Sequence, residues 1–212
     1  MGEVEGMIGG HVGKILRVNL TTREISSIPT EKYEQWIGGF GMGMALWFDE
    51  VDHDYITDTH DKTGFEPENS ICVFAGPQQG TLAPSSARCE IMALSPWSSP
   101  RPQFSRSNFG GKFGAFLKFA GWDGIIVHGA SKMPVWLNIV NDKVTIEDGK
   151  DMWGTDSYQV QELIWQYLDT TDDYSNWYNL GEGVTGGSTT QRPAILTIGE
   201  AGETLSRIAS VQ

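Results

Sequence analysis

Residues 108–129, Asn-Phe-Gly-Gly-Lys-Phe-Gly-Ala-Phe-Leu-Lys-Phe-Ala-Gly-Trp-Asp-Gly-Ile-Ile-Val-His-Gly, join a glycine-rich turn, a short helix and a buried strand without interruption. Phe113, Phe116, Leu117 and Ala120 recur at helical spacing, and Gly121 stands where a left-handed cap would end such a helix. Ile125, Ile126 and Val127 then read as a strand. The helix start falls at Gly110 and Gly111, which carry no Cβ and let a bulky group approach the backbone. Free amides of a first helical turn favour an anion, so a phosphate-bearing cofactor suits the stretch. Close packing of a helix on a sheet suits it too, and these residues alone do not separate the readings.

A chain of 212 residues can bury one sizeable core, and we read a single domain over residues 1–212. The net charge of −12 opposes a phosphate backbone, which argues against nucleic acid as a partner. No apolar run reaches the length of a membrane span, and Met1-Gly2-Glu3-Val4-Glu5 lacks the basic and apolar regions of a signal peptide. A soluble, cytoplasmic protein is expected. Cys72 and Cys89 show no CxxC spacing, so they read as buried free thiols rather than as a disulfide framework or a complete zinc or iron–sulfur site.

Towards the N-terminus, residues 14–20 alternate with Leu16, Val18 and Leu20 on one face, and residues 24–28 follow a short turn, which predicts a hairpin. Thr30 is placed to cap a helix carrying Tyr33, Trp36 and Ile37, and helical spacing resumes at Met42, Ala45, Leu46 and Trp47. Gly39, Gly41 and Gly43 resemble a dinucleotide fingerprint only weakly, because a helix pattern precedes them where a strand is required. Residues 49–69 are acidic and lack an apolar period. They read as a surface loop, with His53 and His60 in no pattern that fixes metal geometry. Residues 71–75 and 87–94 read as strands about a Gly76–Gly80 turn. Arg88, opening the second strand, could bring a guanidinium fork to an oxyanion or make an ordinary surface ion pair.

Residues 95–102, with three prolines, predict an irregular connection. Residues 135–140 and 143–147 predict a second hairpin about Asn141-Asp142, and Val160, Leu163, Ile164 and Tyr167 mark an amphipathic helix. Residues 170–192 are polar and glycine-rich and read as a surface excursion. Residues 194–198 read as a strand and residues 199–203 as a turn. The apolar run 208–211 has no stop signal, so the front part of a longer protein, or one subunit of a complex, is expected.

Taken together, these motifs resemble the N-terminal domain of the tungsten-containing aldehyde ferredoxin oxidoreductases. The resemblance runs in order through residues 13–21, Trp36-Ile37-Gly38-Gly39, Ala75-Gly76-Pro77, Gly80-Thr81, Ala83-Pro84, Arg88 and Ser95-Pro96. It continues through residues 108–129, Trp153-Gly154, Ile198-Gly199 and Ala201-Gly202-Glu203, and Leu117-Lys118-Phe119-Ala120-Gly121-Trp122-Asp123 is its most specific piece. It implies an α+β fold in which two β-sheets with a few helices form a base for a tungsten bis-pyranopterin cofactor, covered by two downstream helical domains. By position, Asn108 corresponds to the asparagine whose backbone carbonyl helps hold a magnesium ion linking the two pterin phosphates. Gly110 and Gly111 correspond to phosphate-side glycines, and Arg88 to the arginine between pterin and iron–sulfur cluster. These roles suit magnesium's preference for hard oxygen ligands and a guanidinium's for anions.

Phe40, Phe109, Gln78-Gln79 and Glu200 depart from the family pattern, where arginine, serine, Leu-Thr and proline are usual. The family's cluster cysteines, acid/base glutamate and histidine, and basic phosphate segment have no counterpart here, so no catalytic residue is assigned. The implied function is the cofactor platform of a tungsten oxidoreductase that oxidises an aldehyde to a carboxylic acid. Its electrons would pass through a 4Fe-4S cluster in the remainder of the protein to ferredoxin or another iron–sulfur carrier. The implied partners are downstream helical domains or a separate catalytic chain, with room for a homo-oligomer. The alternatives are an active-site subunit of a benzoyl-CoA reductase type complex and a non-catalytic cofactor-carrying or structural subunit.

Overall fold

In the computed structural model, which describes residues 9–169 and 193–211, the first hairpin forms as its alternation predicts. β1 (Lys14–Asn19) pairs antiparallel with β2 (Glu24–Pro29) and, on its other side, parallel with β6 (Gly124–His128). β3 (Ile71–Phe74), β4 (Cys89–Ser95) and β5 (Gln103–Phe109) complete a six-stranded sheet of order β2-β1-β6-β3-β4-β5. β7 (Val135–Val140) and β8 (Lys143–Asp148) form a separate two-stranded sheet about Asn141, whose φ of 53° an asparagine tolerates. The α+β class and its two sheets are as expected.

Both faces of the larger sheet are covered, which is why β1 and β6 carry buried apolar residues on both faces. α1 (Gly39–Glu50) lies on one face, where Met42, Leu46 and Trp47 pack with Ile15, Cys72, Phe74, Met92 and Ile126. Its glycines serve that approach, since a Cβ on Gly43 would come within 2.2 Å of Met92 Cε and 3.0 Å of Phe74. The dinucleotide fingerprint is thereby replaced by close packing inside a helix. On the opposite face, α3 (Phe113–Phe119) and β7–β8 bury Leu16, Val18, Leu117, Trp122 and Ile125. α3 ends as predicted: Gly121 has φ 92°, its amide donates to the Lys118 carbonyl, and the Trp122 amide donates to the Leu117 carbonyl.

Several expectations are corrected. Thr30 caps no α-helix; residues Thr30–Trp36 form a 3-10 helix with Pro29 at its N-cap, and the buried Thr30 hydroxyl is used elsewhere. Residues 49–69 are more ordered than their polarity suggests. The carboxylate of Asp52 caps a short helix α2 (His53–Thr57), and Tyr55 is buried. Glu66 gathers the Thr63 and Gly64 amides, the Thr63 hydroxyl and the Tyr55 phenol at 2.7–2.9 Å, and these bonds outweigh burial to hold its pKa down to about 2. β5 was not foreseen, because Ser105, Arg106, Ser107 and Asn108 carry no apolar alternation. As an edge strand it tolerates exposed polar residues. Asn108 accordingly lies near the end of a strand rather than in a turn.

The chain divides into two compact units, Met1–Asp148 and Gly149–Gln212. In the second, α4 (Ser157–Asp169) follows the predicted spacing, burying Ile164 and Leu168 while Tyr167 stays exposed. Residues 194–198 are not a strand, because no strand among the described residues offers them a ladder. Residues 199–203 form a short helix, α5 (Gly199–Glu203), instead of a simple turn. The excursion read at residues 170–192 lies outside the described residues.

Candidate cofactor-binding site

The strand pairings bring one end of every strand in the large sheet together. Lys14 pairs with Pro29, Ile15 and Phe74 with Gly124, Phe74 with Glu90, and Cys89 with Phe109. The segments before β1, β4 and β6 and after β2, β3 and β5 therefore meet at that end. Arg88, Asn108, Gly110 and Gly111, read from the sequence as site residues, all lie there.

Asp123, the residue before β6, organises this end. Its carboxylate accepts from the amides of Val12 and Gly13 at 2.9–3.1 Å, the Thr30 hydroxyl at 2.7 Å and the Lys118 ammonium at 2.7 Å. Lys118 also donates to the Gly10 carbonyl, and His11 Nδ1 stands 3.7 Å from the carboxylate. The Asp123 and Lys118 side chains are 2% and 5% exposed, so this is a buried ion pair, and both carboxylate oxygens accept hydrogen bonds. Burial alone would raise the Asp123 pKa, but the hydrogen bonds from Lys118, Thr30, Val12 and Gly13 outweigh it and hold the carboxyl below its ordinary range. The sequence reading passed over this hub. Its signal was a lysine and an aspartate set into an otherwise uncharged stretch at residues 113–127.

Arg88 and Asn108 touch directly: Arg88 Nη1 donates to Asn108 Oδ1 at 2.7 Å, and both residues are exposed. Beyond Asn108 the chain turns at Gly110 and Gly111, where Gly111 has φ 98° and a Cβ on either residue would meet nothing within 4 Å. The space beside the glycine backbone is open, unlike that around Gly43. Below the pair, Gln79 Oε1 accepts from the Gly76 amide at 3.0 Å and from the Cys89 thiol at 3.4 Å. A Cβ on Gly114 of α3 would fall 2.4 Å from both Cys89 Sγ and the Gln79 amide. The loop after β3, the start of β4 and α3 are thus interlocked beneath Arg88 and the glycine turn.

Cys72 and Cys89 are both buried free thiols. His53 and His60 are exposed, and among the described residues no group of His, Cys, Asp or Glu lies together to hold a metal ion. A separate polar cluster occupies the opposite end of the sheet, where His128 Nδ1 shares a 2.7 Å hydrogen bond with the buried Ser70 hydroxyl and Glu50 receives Arg17 at 2.7 Å.

A guanidinium paired to an asparagine beside an open glycine turn can hold an anionic group by charge and by backbone amides. The donor set fits a phosphate-bearing ligand. The pattern of the family described as aldehyde ferredoxin oxidoreductase, N-terminal domain, matches residues 15–212. The chain is 38% identical over 147 residues, 68% of its length, to a tungsten-containing aldehyde ferredoxin oxidoreductase of Thermococcus kodakarensis, of which it covers 23%. It is 30% identical over 207 residues, 95% of its length, to the Pyrococcus furiosus protein of the same name, of which it covers 29%. Among solved structures it is similar to the active site complex BamBC of benzoyl coenzyme A reductase, with TM-score 0.68, 30% identity, and coverage of 77% of this chain and 24% of that one. Residues 15–212 match the N-terminal-domain pattern, and the chain therefore belongs to the aldehyde ferredoxin oxidoreductase family.

Proposed function

We propose that residues 1–212 act as one domain, the platform on which a tungsten bis-pyranopterin cofactor rests, with its phosphate side at Asn108, Gly110 and Gly111 and with Arg88 between pterin and iron–sulfur cluster. The observation that supports this most is the Arg88–Asn108 hydrogen bond at an open glycine turn. Arg88 supplies a fixed positive charge and a planar fork, and Asn108 orients it. Gly110 and Gly111 leave room for a ligand against the backbone, and the Asp123 hub fixes the loops around them. A magnesium ion at the Asn108 carbonyl would take its other ligands from phosphate oxygens and water, in keeping with its preference for hard donors.

The bound metal and its dithiolene sulfurs would supply the redox chemistry, while this domain binds and orients. The full-length protein, in this reading, oxidises an aldehyde to a carboxylic acid and passes electrons through a 4Fe-4S cluster to ferredoxin, with the catalytic proton donor outside residues 1–212. Tungsten or molybdenum should co-purify stoichiometrically with full-length protein made anaerobically with tungstate. Arg88→Lys, which keeps the charge but loses the fork, should lower that metal content. Metal analysis finding only zinc, or wild-type retention in both Arg88→Lys and Arg88→Ala, would refute the assignment. The likeness to the benzoyl coenzyme A reductase complex favours a second reading, a reductase active-site subunit. Turnover of a dienoyl-CoA but of no aldehyde by the full-length protein would select it.

A further inference from the structure

A second guanidinium lies on the same face of the sheet as Arg88 and Asn108. Glu90 pairs with Asn108 and Met92 with Arg106, so Arg106 and Asn108, two residues apart on β5, project to one face. It is the face covered by α1, where Met92 and Phe104 pack with Met42, Leu46 and Trp47. The Arg106 guanidinium carbon sits 4.6 Å from the ring centroid of Phe40, in the first turn of α1, and its Nη1 donates to Glu90 Oε2 at 3.2 Å. The ring holds one planar face and the carboxylate one edge of the fork. The side chain is nevertheless 53% exposed, and a guanidinium has more donors than one carboxylate bond uses.

The local charge balance points to an anion. Arg88 is bonded to Asn108 and Arg106 lies two residues before it on β5, with the Glu90 carboxylate bonded to Arg106, in a chain whose net charge is −12. No side chain caps the start of α1, and a Cβ on Gly39, its first residue, would lie 3.9 Å from Glu90 Cγ. The partial positive charge of that helix end adds to the two guanidinium groups. An isolated surface ion pair would need neither the stack on Phe40 nor a second arginine bonded to the neighbouring Asn108.

We propose that Arg106 is a further binding residue of this site, holding an oxyanion of the phosphate class over Asn108. The proposal rests on the platform reading above and names a second group that carries the ligand's charge. It is tested with full-length protein made in a host unable to synthesise the pterin cofactor, titrated calorimetrically with inorganic pyrophosphate at low salt. Arg88→Ala and Arg106→Ala should each weaken binding about tenfold, as expected for loss of a charge-assisted bond. Arg106→Lys should lose less, and Phe40→Leu, which removes the stack but leaves Glu90, should weaken binding severalfold. If Arg106→Ala misfolds by circular dichroism, the Arg106→Lys and Phe40→Leu titrations decide the matter. Wild-type affinity in the folded Arg106 variants, with affinity lost in Arg88→Ala, would overturn the role of Arg106 and leave the platform reading standing. Wild-type protein that takes up no pyrophosphate would overturn both.

Discussion

Replacing Asp123 by asparagine removes one negative charge from the point where the amides of Val12 and Gly13, the Thr30 hydroxyl and the Lys118 ammonium converge. Asparagine keeps one acceptor oxygen but turns an NH2 group towards the remaining donors, so a buried donor must face another donor. Lys118, its side chain 5% exposed, loses its counter-charge and keeps only the Gly10 carbonyl. Removing one partner of a buried pair costs about 3–5 kcal/mol, and the retained acceptor places Asp123→Asn near the lower end, at about 3 kcal/mol. For a domain of this size that is a fall of about 6–12 °C in Tm. The pH dependence has a definite sign. The Asp123 pKa is depressed in the folded state, so its contribution is full above the unfolded value of about 3.9 and is lost as pH falls through the folded value. Differential scanning calorimetry of full-length wild type and Asp123→Asn, from neutral pH down into the acid range, should show the gap widest at neutral pH and closing in acid. Equal melting temperatures at neutral pH, or a gap that persists unchanged in acid, would refute the assignment of Asp123 as a charged hub.

Gly114→Ala should destabilise by about 1–3 kcal/mol in urea unfolding, because its methyl group is forced against Cys89 Sγ and the Gln79 amide, each 2.4 Å away. Adding Cys89→Ala to it should restore part of that loss, and a neutral Gly114→Ala would show that α3 is not interlocked with the start of β4. Burial raises the Cys72 thiol far above its ordinary pKa and pushes Cys89 up to about 11. Both should therefore resist iodoacetamide at mildly alkaline pH in native protein and label fully in urea, as read by peptide mass mapping. Rapid native labelling of either would contradict their burial.

Local periodicity made the hairpins, α3 and α4 legible, since each satisfies its own hydrogen bonds or those of its sequence neighbour, while β6, whose partners β1 and β3 are distant in sequence, was legible from its apolar run. β5 escaped because an edge strand beside a solvent-facing site needs no apolar alternation. Residues 194–198 misled for the opposite reason: they carry strand-forming side chains but find no ladder among the described residues. The site was legible through the family resemblance more than through composition. Arg88 and Asn108 stand 20 positions apart, and only antiparallel pairing of β4 with β5 brings them into contact. Asp123 and Thr30 are 93 positions apart, and Thr30 looked like a helix cap because a hydroxyl before a helical pattern usually is one. No local rule ties either residue to a partner so distant.

The parallel pairing of β1 with β6 also constrains how the protein is made. Ile15 hydrogen-bonds beside Gly124, so the first hairpin cannot enter its sheet until roughly a hundred further residues have been synthesised. At ribosomal rates of about 5–20 residues per second, that is an interval of roughly 5–20 s. Throughout it the nascent chain carries Leu16 and Val18 without the partners that bury them, with one edge of β1 unpaired. The step that closes the sheet is then a late, long-range one of the kind that slows folding. The interval also gives chaperones that hold apolar strands a defined window in which this chain is their substrate.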